Sequence, residues 1–287
     1  MDSDNRLGAF LRARRELVRP EDVGMSGGGQ RRVAGLRREE VAMLAGMSAD
    51  YYVRLEQGRD KHPSEQVVTA LARVFALDDE ATAHLRELAR PVARRRRAPH
   101  RPERASRGLT TLMAAWPNTP ALVLGRHLDV LAANPLAVAV NSCSVPGVNQ
   151  VRMMFLDPEA RCLYPDWSVH AAETVASLRA SAGTDLDDPR LTDLVGELSL
   201  KSEEFRQLWA RHDIRAKTAG VKRFANPMVG EFTLSYETFA VNGAPGQMLI
   251  AYHAEPGSPS ERALTLLGSM IATGDPEFQD AAARAHD

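Results

Sequence analysis

Apolar residues recur at helical spacing through the first ninety residues, and the pattern turns mixed after residue 109. Leu7, Phe10, Leu11 and Leu17 share one face of a helix predicted over 7–18, with arginines on the other face. Pro20 and a glycine-rich stretch at 24–29 end it in a loop. Leu36, Val41, Leu44 and Ala45 mark a second helix, which Gly46 stops. Ser48 caps a short third helix that carries Tyr52 and Leu55 three apart and closes at Gly58. A fourth starts at Pro63-Ser64-Glu65 and turns Val67, Val68, Leu71, Val74 and Phe75 inward. A fifth opens on Asp78-Asp79-Glu80, whose charges suit the positive end of the helix dipole. Residues 1–90 therefore read as an all-α, five-helix domain.

Pro91, Pro99 and Pro102 interrupt any helix, and the run Arg94-Arg95-Arg96-Arg97 cannot be buried. Residues 91–108 are a basic, proline-containing linker, either a solvated tether or an added phosphate contact. Residues 109–274 then read as α+β. Strands are predicted over 121–124 and 128–132 around a Gly125-Arg126 turn, with helices near 135–141, 148–155, 167–182, 189–198 and 203–211. Two more strands, 232–241 and 247–254, flank Asn242-Gly243-Ala244-Pro245-Gly246, a hairpin signal. A last helix covers 260–272, and 275–287 reads as a frayed tail. No internal repeat is present.

Composition narrows the class. At 287 residues the chain can form two domains with real cores, so no disulfide or metal staple is required. Cys143 and Cys162 lie in no metal-ligand spacing and read as reduced thiols of a cytosolic protein, a redox pair being the alternative. No apolar run approaches the roughly 20 residues that span a bilayer, and the polar start is not a signal peptide, so a cytoplasmic location without a membrane partner is expected. The net charge of −1 conceals an asymmetry. Residues 1–108 hold 22 Lys and Arg against 16 Asp and Glu, a net of +6, and the remainder is −7. A basic half joined to an acidic one suggests that one part meets a polyanion.

The informative stretch runs from Leu36 to Gly58. A helix-turn-helix needs a permissive turn residue, here Gly46, and small side chains at the helix junction, here Ala42 and Ala45. The second helix must bury one stripe, Met47, Tyr52 and Leu55, and leave its other faces for DNA. Over about residues 7–88 the chain resembles the Cro/repressor (XRE) helix-turn-helix family. The resemblance implies backbone contacts from Arg37, Arg38, Ser48, Tyr51, Arg59 and Lys61, and base-reading positions at Ala49, Asp50 and Arg54. Arg54 suits the O6 and N7 of guanine; Asp50 either accepts from a cytosine amino group or orients Arg54. It also implies a structural salt bridge between Arg15 and Glu56.

A long loop at 19–32, followed by Arg31-Arg32 and the run from Gly35 to Glu40, resembles one subgroup, the MmyB-like regulators. Residues 109–287 are similar to that group's ligand-binding domain in several ordered pieces. These include the run from Asp129 to Ala137, Gly147 to Arg152 with Phe155, and Tyr164 to Trp167 with Leu178-Arg179. Ser202 to Phe205 with Trp209 and His212, and Asn226 to Gly230, complete them. The resemblance implies a PAS-like domain, a small antiparallel sheet with helices over one face, enclosing an apolar pocket for a fatty-acid-like ligand. Phe155, Trp167, Phe205, Trp209, Tyr236 and Phe239 are candidates for its wall, although core packing is the better reading of each taken singly. Arg152 sits among apolar neighbours and needs a partner, either a ligand carboxylate or an internal acid such as Glu173 or Glu237. His212 reads as a satisfied histidine rather than a ligand contact.

The chain carries no Gly-x-Ser-x-Gly elbow, phosphate-binding glycine loop or His-Glu-x-x-His, so no enzyme and no cofactor are expected beyond the bound lipid-like ligand. The expected protein is a homodimeric, one-component regulator of a double-stranded DNA operator with an apolar-metabolite sensor. The alternative makes the C-terminal half mainly a dimerisation or protein-docking module.

Overall fold

The computed structural model describes residues 5–25, 33–90, 103–182 and 188–273. The arginines at 31–32 and 94–97, linker residues 91–102 and the tail at 275–287 lie outside the described residues.

Five helices form the N-terminal domain: α1 (Arg6–Leu17), α2 (Arg38–Leu44), α3 (Ala49–Glu56), α4 (Glu65–Val74) and α5 (Asp79–Ala89). Side chains cap their starts as the sequence predicts. Ser48, Ser64 and Asp78 each accept from the backbone N–H three residues on, satisfying donors that a helix start leaves open. Phe10, Leu11, Leu36, Val41, Tyr52, Leu55, Leu71 and Leu85 close a single core. Leu17 and Leu44, predicted to face inward, are exposed, because each occupies the last turn of its helix beyond the packed stripe.

The C-terminal domain opens with α6 (Arg107–Ala114), followed by β1 (Ala121–Leu124), β2 (Val130–Ala133), α7 (Pro135–Val140), α8 (Gln150–Leu156) and α9 (Glu159–Leu163). Then come α10 (Trp167–Ala182), α11 (Pro189–Lys201), α12 (Glu203–Ala210), β3 (Ala219–Asn226), β4 (Gly230–Ala240), β5 (Met248–His253) and α13 (Pro259–Thr273). The strands form one antiparallel sheet in the order β2-β1-β5-β4-β3. One sheet face, through Leu122, Phe224, Phe232, Leu234 and Ile250, joins the core built with α7, α8, α10, α11 and α12.

Three elements depart from the sequence expectation. Strand β3 went unpredicted because its inward positions are Gly220, Lys222, Phe224 and Asn226, which do not read as an apolar alternation. Helix α6 begins inside the expected linker, capped by Ser106, and packs Leu109 and Met113, with Trp116 just beyond it, over the second sheet face. Helices therefore cover both faces rather than one. The five-residue α9 is too short to show a period.

Asparagines hold the turns. Asn134 donates to the carbonyls of Met113, Trp116 and Thr119 and accepts from the N–H groups of Ala121 and Ala137, tying α6, β1 and α7 together. Asn149 caps α8 while donating to the His127 carbonyl, and Asn226 donates to the Ala139 carbonyl.

Candidate functional site

Among the described residues, an exposed helix in the N-terminal domain and a charged, aromatic-lined cavity in the C-terminal one answer to the expected functions. Gly46 takes φ +69, the left-handed conformation a tight turn needs after α2, and Ser48 Oγ then starts α3 by accepting from Tyr51 N–H at 3.2 Å. Tyr52 and Leu55 are fully buried, so α3 is fixed by one face while Ala49, Asp50 and Arg54 project to solvent. Arg54 donates to Asp50 at 2.6 Å and lies 5.6 Å from the centre of the Tyr51 ring. That pair pre-orients the guanidinium on the outer face. Arg37, Arg38 and Arg59 are exposed near the same surface, and Lys61 is half-buried.

Glu56, at the end of α3, is fully buried and accepts from Arg15 Nε at 2.9 Å and Nη2 at 3.1 Å. Arg38 donates to it as well, from Nε at 3.0 Å and Nη2 at 2.8 Å. Burial pushes the carboxyl up, but hydrogen bonds from Arg15 and then Arg38 outweigh it and hold it below its ordinary value. Arg38, expected only on phosphate, thus also anchors α2 to α3.

The cavity has a volume of about 270 Å³. Leu122, Leu124, Leu128, Val140, Met154 and Ile250 give it aliphatic walls, and Tyr164, Phe224, Tyr236 and Tyr252 aromatic ones. Glu173, Arg215, Lys217 and Lys222 supply charge. Burial pushes the Lys222 ammonium down to about 8, opposed by Glu173. Burial, then the like charge of Lys222, pushes Lys217 well below its usual value. Each ammonium lies near an aromatic ring, Lys217 at 5.0 Å from Tyr236 and Lys222 at 5.1 Å from Tyr164. Tyr236 lies against Gly220, its cross-strand partner, where a Cβ would come within 2.7 Å of the phenolic oxygen.

Of the seven pocket residues expected from sequence, Tyr236 lines this cavity and six do not. Phe155, Trp167, Phe205 and Trp209 pack on one another instead, with ring centres 5.2 to 5.9 Å apart, and the Trp167 indole donates to the Met154 carbonyl. Phe239 is 54% exposed near the end of β4. Arg152 turns out of the domain and pairs with Glu197 at 2.8 Å, because its position on α8 is opposite the buried Val151, Met153 and Met154. Neither Glu173 nor Glu237 is its partner. Sequence reasoning missed Lys217 and Lys222; the usable signal was a lysine alternating with Phe224 and Asn226 in a pattern that must pair as a strand. His212 sits at the junction of the two domains, with its ring 6.4 Å from that of Phe10. Both cysteines are free, and burial, then Asp157, pushes the Cys143 thiol up to about 11.

No helix among the described residues is long and apolar enough to cross a membrane. Compared with known families, residues 105–267 match the MmyB-like transcription regulator ligand binding domain, and residues 6–85 match a helix-turn-helix domain. Among curated proteins none matches the chain.

Proposed function

The chain belongs to the MmyB-like transcription regulators, a DNA-binding helix-turn-helix domain joined to a ligand-binding domain, and from that premise we propose that it is a one-component sensor of a fatty-acid-like molecule. The observation that carries this reading is the cavity, which combines aliphatic and aromatic walls with two desolvated lysines. An acyl chain suits the walls. A carboxylate beside Lys217 and Lys222 would offset their mutual repulsion and restore the charge that burial suppresses. The head-group role thereby passes from Arg152 to these lysines.

On DNA, Arg37, Arg38, Ser48, Tyr51, Arg59 and Lys61 are assigned to the backbone and Ala49, Asp50 and Arg54 to base edges. The exposure of all of these but the half-buried Tyr51 and Lys61, on and beside α3, supports the assignment. The acting species is a cytoplasmic homodimer, whose two recognition helices sit about 34 Å apart on successive major grooves. No catalytic step is assigned to either domain.

The test is thermal stability of the full chain with a panel of long-chain fatty acids. At one hundred times its dissociation constant, a bound acid adds about 2.7 kcal/mol to the domain that holds it. Stabilisation by none of them would remove the sensor reading and favour a dimerisation or protein-docking role.

A further inference from the structure

The segment between α12 and β3, residues 211–218, belongs to both domains at once. Its first part docks on the N-terminal domain. Arg14 of α1 donates to the His212 carbonyl at 2.7 Å and to Asp213 Oδ1 at 3.1 Å. Ile214, 7% exposed, packs into the helix-turn-helix core. The Ala216 N–H donates to the Glu80 carboxylate of α5. Its second part, Arg215 to Thr218, lines the cavity, and the chain then continues directly into β3.

The junction is close-packed and crowds several cations around one carboxylate, Asp213. Arg179 of α10 is 1% exposed, and it donates to the Trp209 carbonyl at 2.6 Å with its guanidinium 3.8 Å from the Trp209 ring. It faces His212 Nδ1 at 3.3 Å and feels the like charge of Arg14, with Asp213 the opposing carboxylate. His212 itself holds φ +55, a conformation non-glycine residues adopt at a cost. Junctions between domains can exchange between two arrangements, docked and released.

We propose that residues 211–218 form a strap through which occupancy of the cavity releases the N-terminal domain. This rests on reading the cavity as the ligand site. The remaining walls are sheet strands, core helices and the buried loop residues Pro120, Leu128, Asn141 and Ser144, whereas Arg215, Ala216 and Thr218 are exposed, so the strap is the wall that yields to an entering chain. Displacing 215–218 pulls on Asp213 and Ile214, which hold α1 and the adjoining core. The ligand then shifts the docking equilibrium by the difference in its affinity for the two arrangements.

Hydrogen exchange of the full chain with and without palmitate tests the proposal. Exchange should slow in β3 and quicken in α1 and α5 by at least about fivefold, the low end of coupling between sites. Asp213→Ala should quicken α1 without palmitate while β3 still responds to it. Slowed β3 with α1 and α5 unchanged or slowed would overturn the strap and leave the ligand reading intact. If palmitate leaves β3 unaltered, the ligand reading falls for this probe, and Lys217→Trp decides the strap, since it fills the cavity from the strap itself. With exchange in β5 unchanged as the control for folding, quickened α1 in that variant supports the strap and unaltered α1 overturns it.

Discussion

Replacing Glu56 with Gln tests the N-terminal fold at its most constrained polar contact. The carboxylate is fully buried and receives four hydrogen bonds, two from Arg15 and two from Arg38, with Arg12 Nε at 3.5 Å. Glutamine keeps the shape but removes the charge, and its amide nitrogen sets a donor against a guanidinium. Arg38 is 43% exposed in its side chain, so water screens its part to about 0–1 kcal/mol. Arg15 is 7% exposed, and its other hydrogen-bond acceptor is the Leu36 carbonyl at 3.1 Å. Its remaining carboxylate, Glu16, lies 3.5 Å from Nη2 but is 60% exposed and screened, so the loss takes the low end of the cost of breaking a buried pair, about 3 kcal/mol. For a domain of this size each kcal/mol moves the midpoint by about 4–8 °C, so the N-terminal transition should fall by at least about 12 °C. The folded carboxyl lies below its ordinary value, so its contribution is present above the unfolded pKa of about 4.3 and fades as pH falls through the folded one. Melting followed by circular dichroism should therefore show a gap between wild type and variant that narrows in acid. A fall under about 4 °C at neutral pH, or a gap that widens in acid, would refute the reasoning.

Arg54→Ala should cost about 1–3 kcal/mol at a single operator position, and a binding-site selection should show relaxed preference there alone. An unaltered motif would move base reading to Ala49, Asp50 or DNA shape. Arg38→Ala should weaken specific and random DNA alike and flatten the salt dependence by about one unit of slope, read by titration over a salt series. Because Arg38 also holds Glu56, a lower melting midpoint should accompany it. Binding of a long-chain carboxylate favours protonated Lys222, so affinity measured by calorimetry should decline as pH rises above about 8. Affinity flat across that range would detach Lys222 from the head group.

The helix-turn-helix was legible because each of its demands is local. Gly46 in the turn, Ser48 at the cap and the spacing of Tyr52 and Leu55 lie within a dozen residues and admit few other uses. The Arg15–Glu56 bridge spans 41 residues, and only the family resemblance pointed to it. The cavity was illegible for the converse reason. Phe155, Trp167, Phe205 and Trp209 carry the composition of a pocket wall yet satisfy one another, and nothing in a linear order separates a ring facing a ring from a ring facing space. Arg152 looked enclosed because its neighbours in sequence are apolar, but a helix puts consecutive residues on different faces. Lys217 and Lys222 drew no reading from the sequence, because it takes strand β3 to carry Lys222 inward and the strap to bring Lys217 to the cavity wall.

Native mass spectrometry of the chain purified from its own host tests the central claim most directly. A mass increment equal to one long-chain fatty acid per chain is expected, diminished when Lys217 and Lys222 are both changed to Met. A chain that carries no increment, and gains none on incubation with long-chain acids, would contradict it.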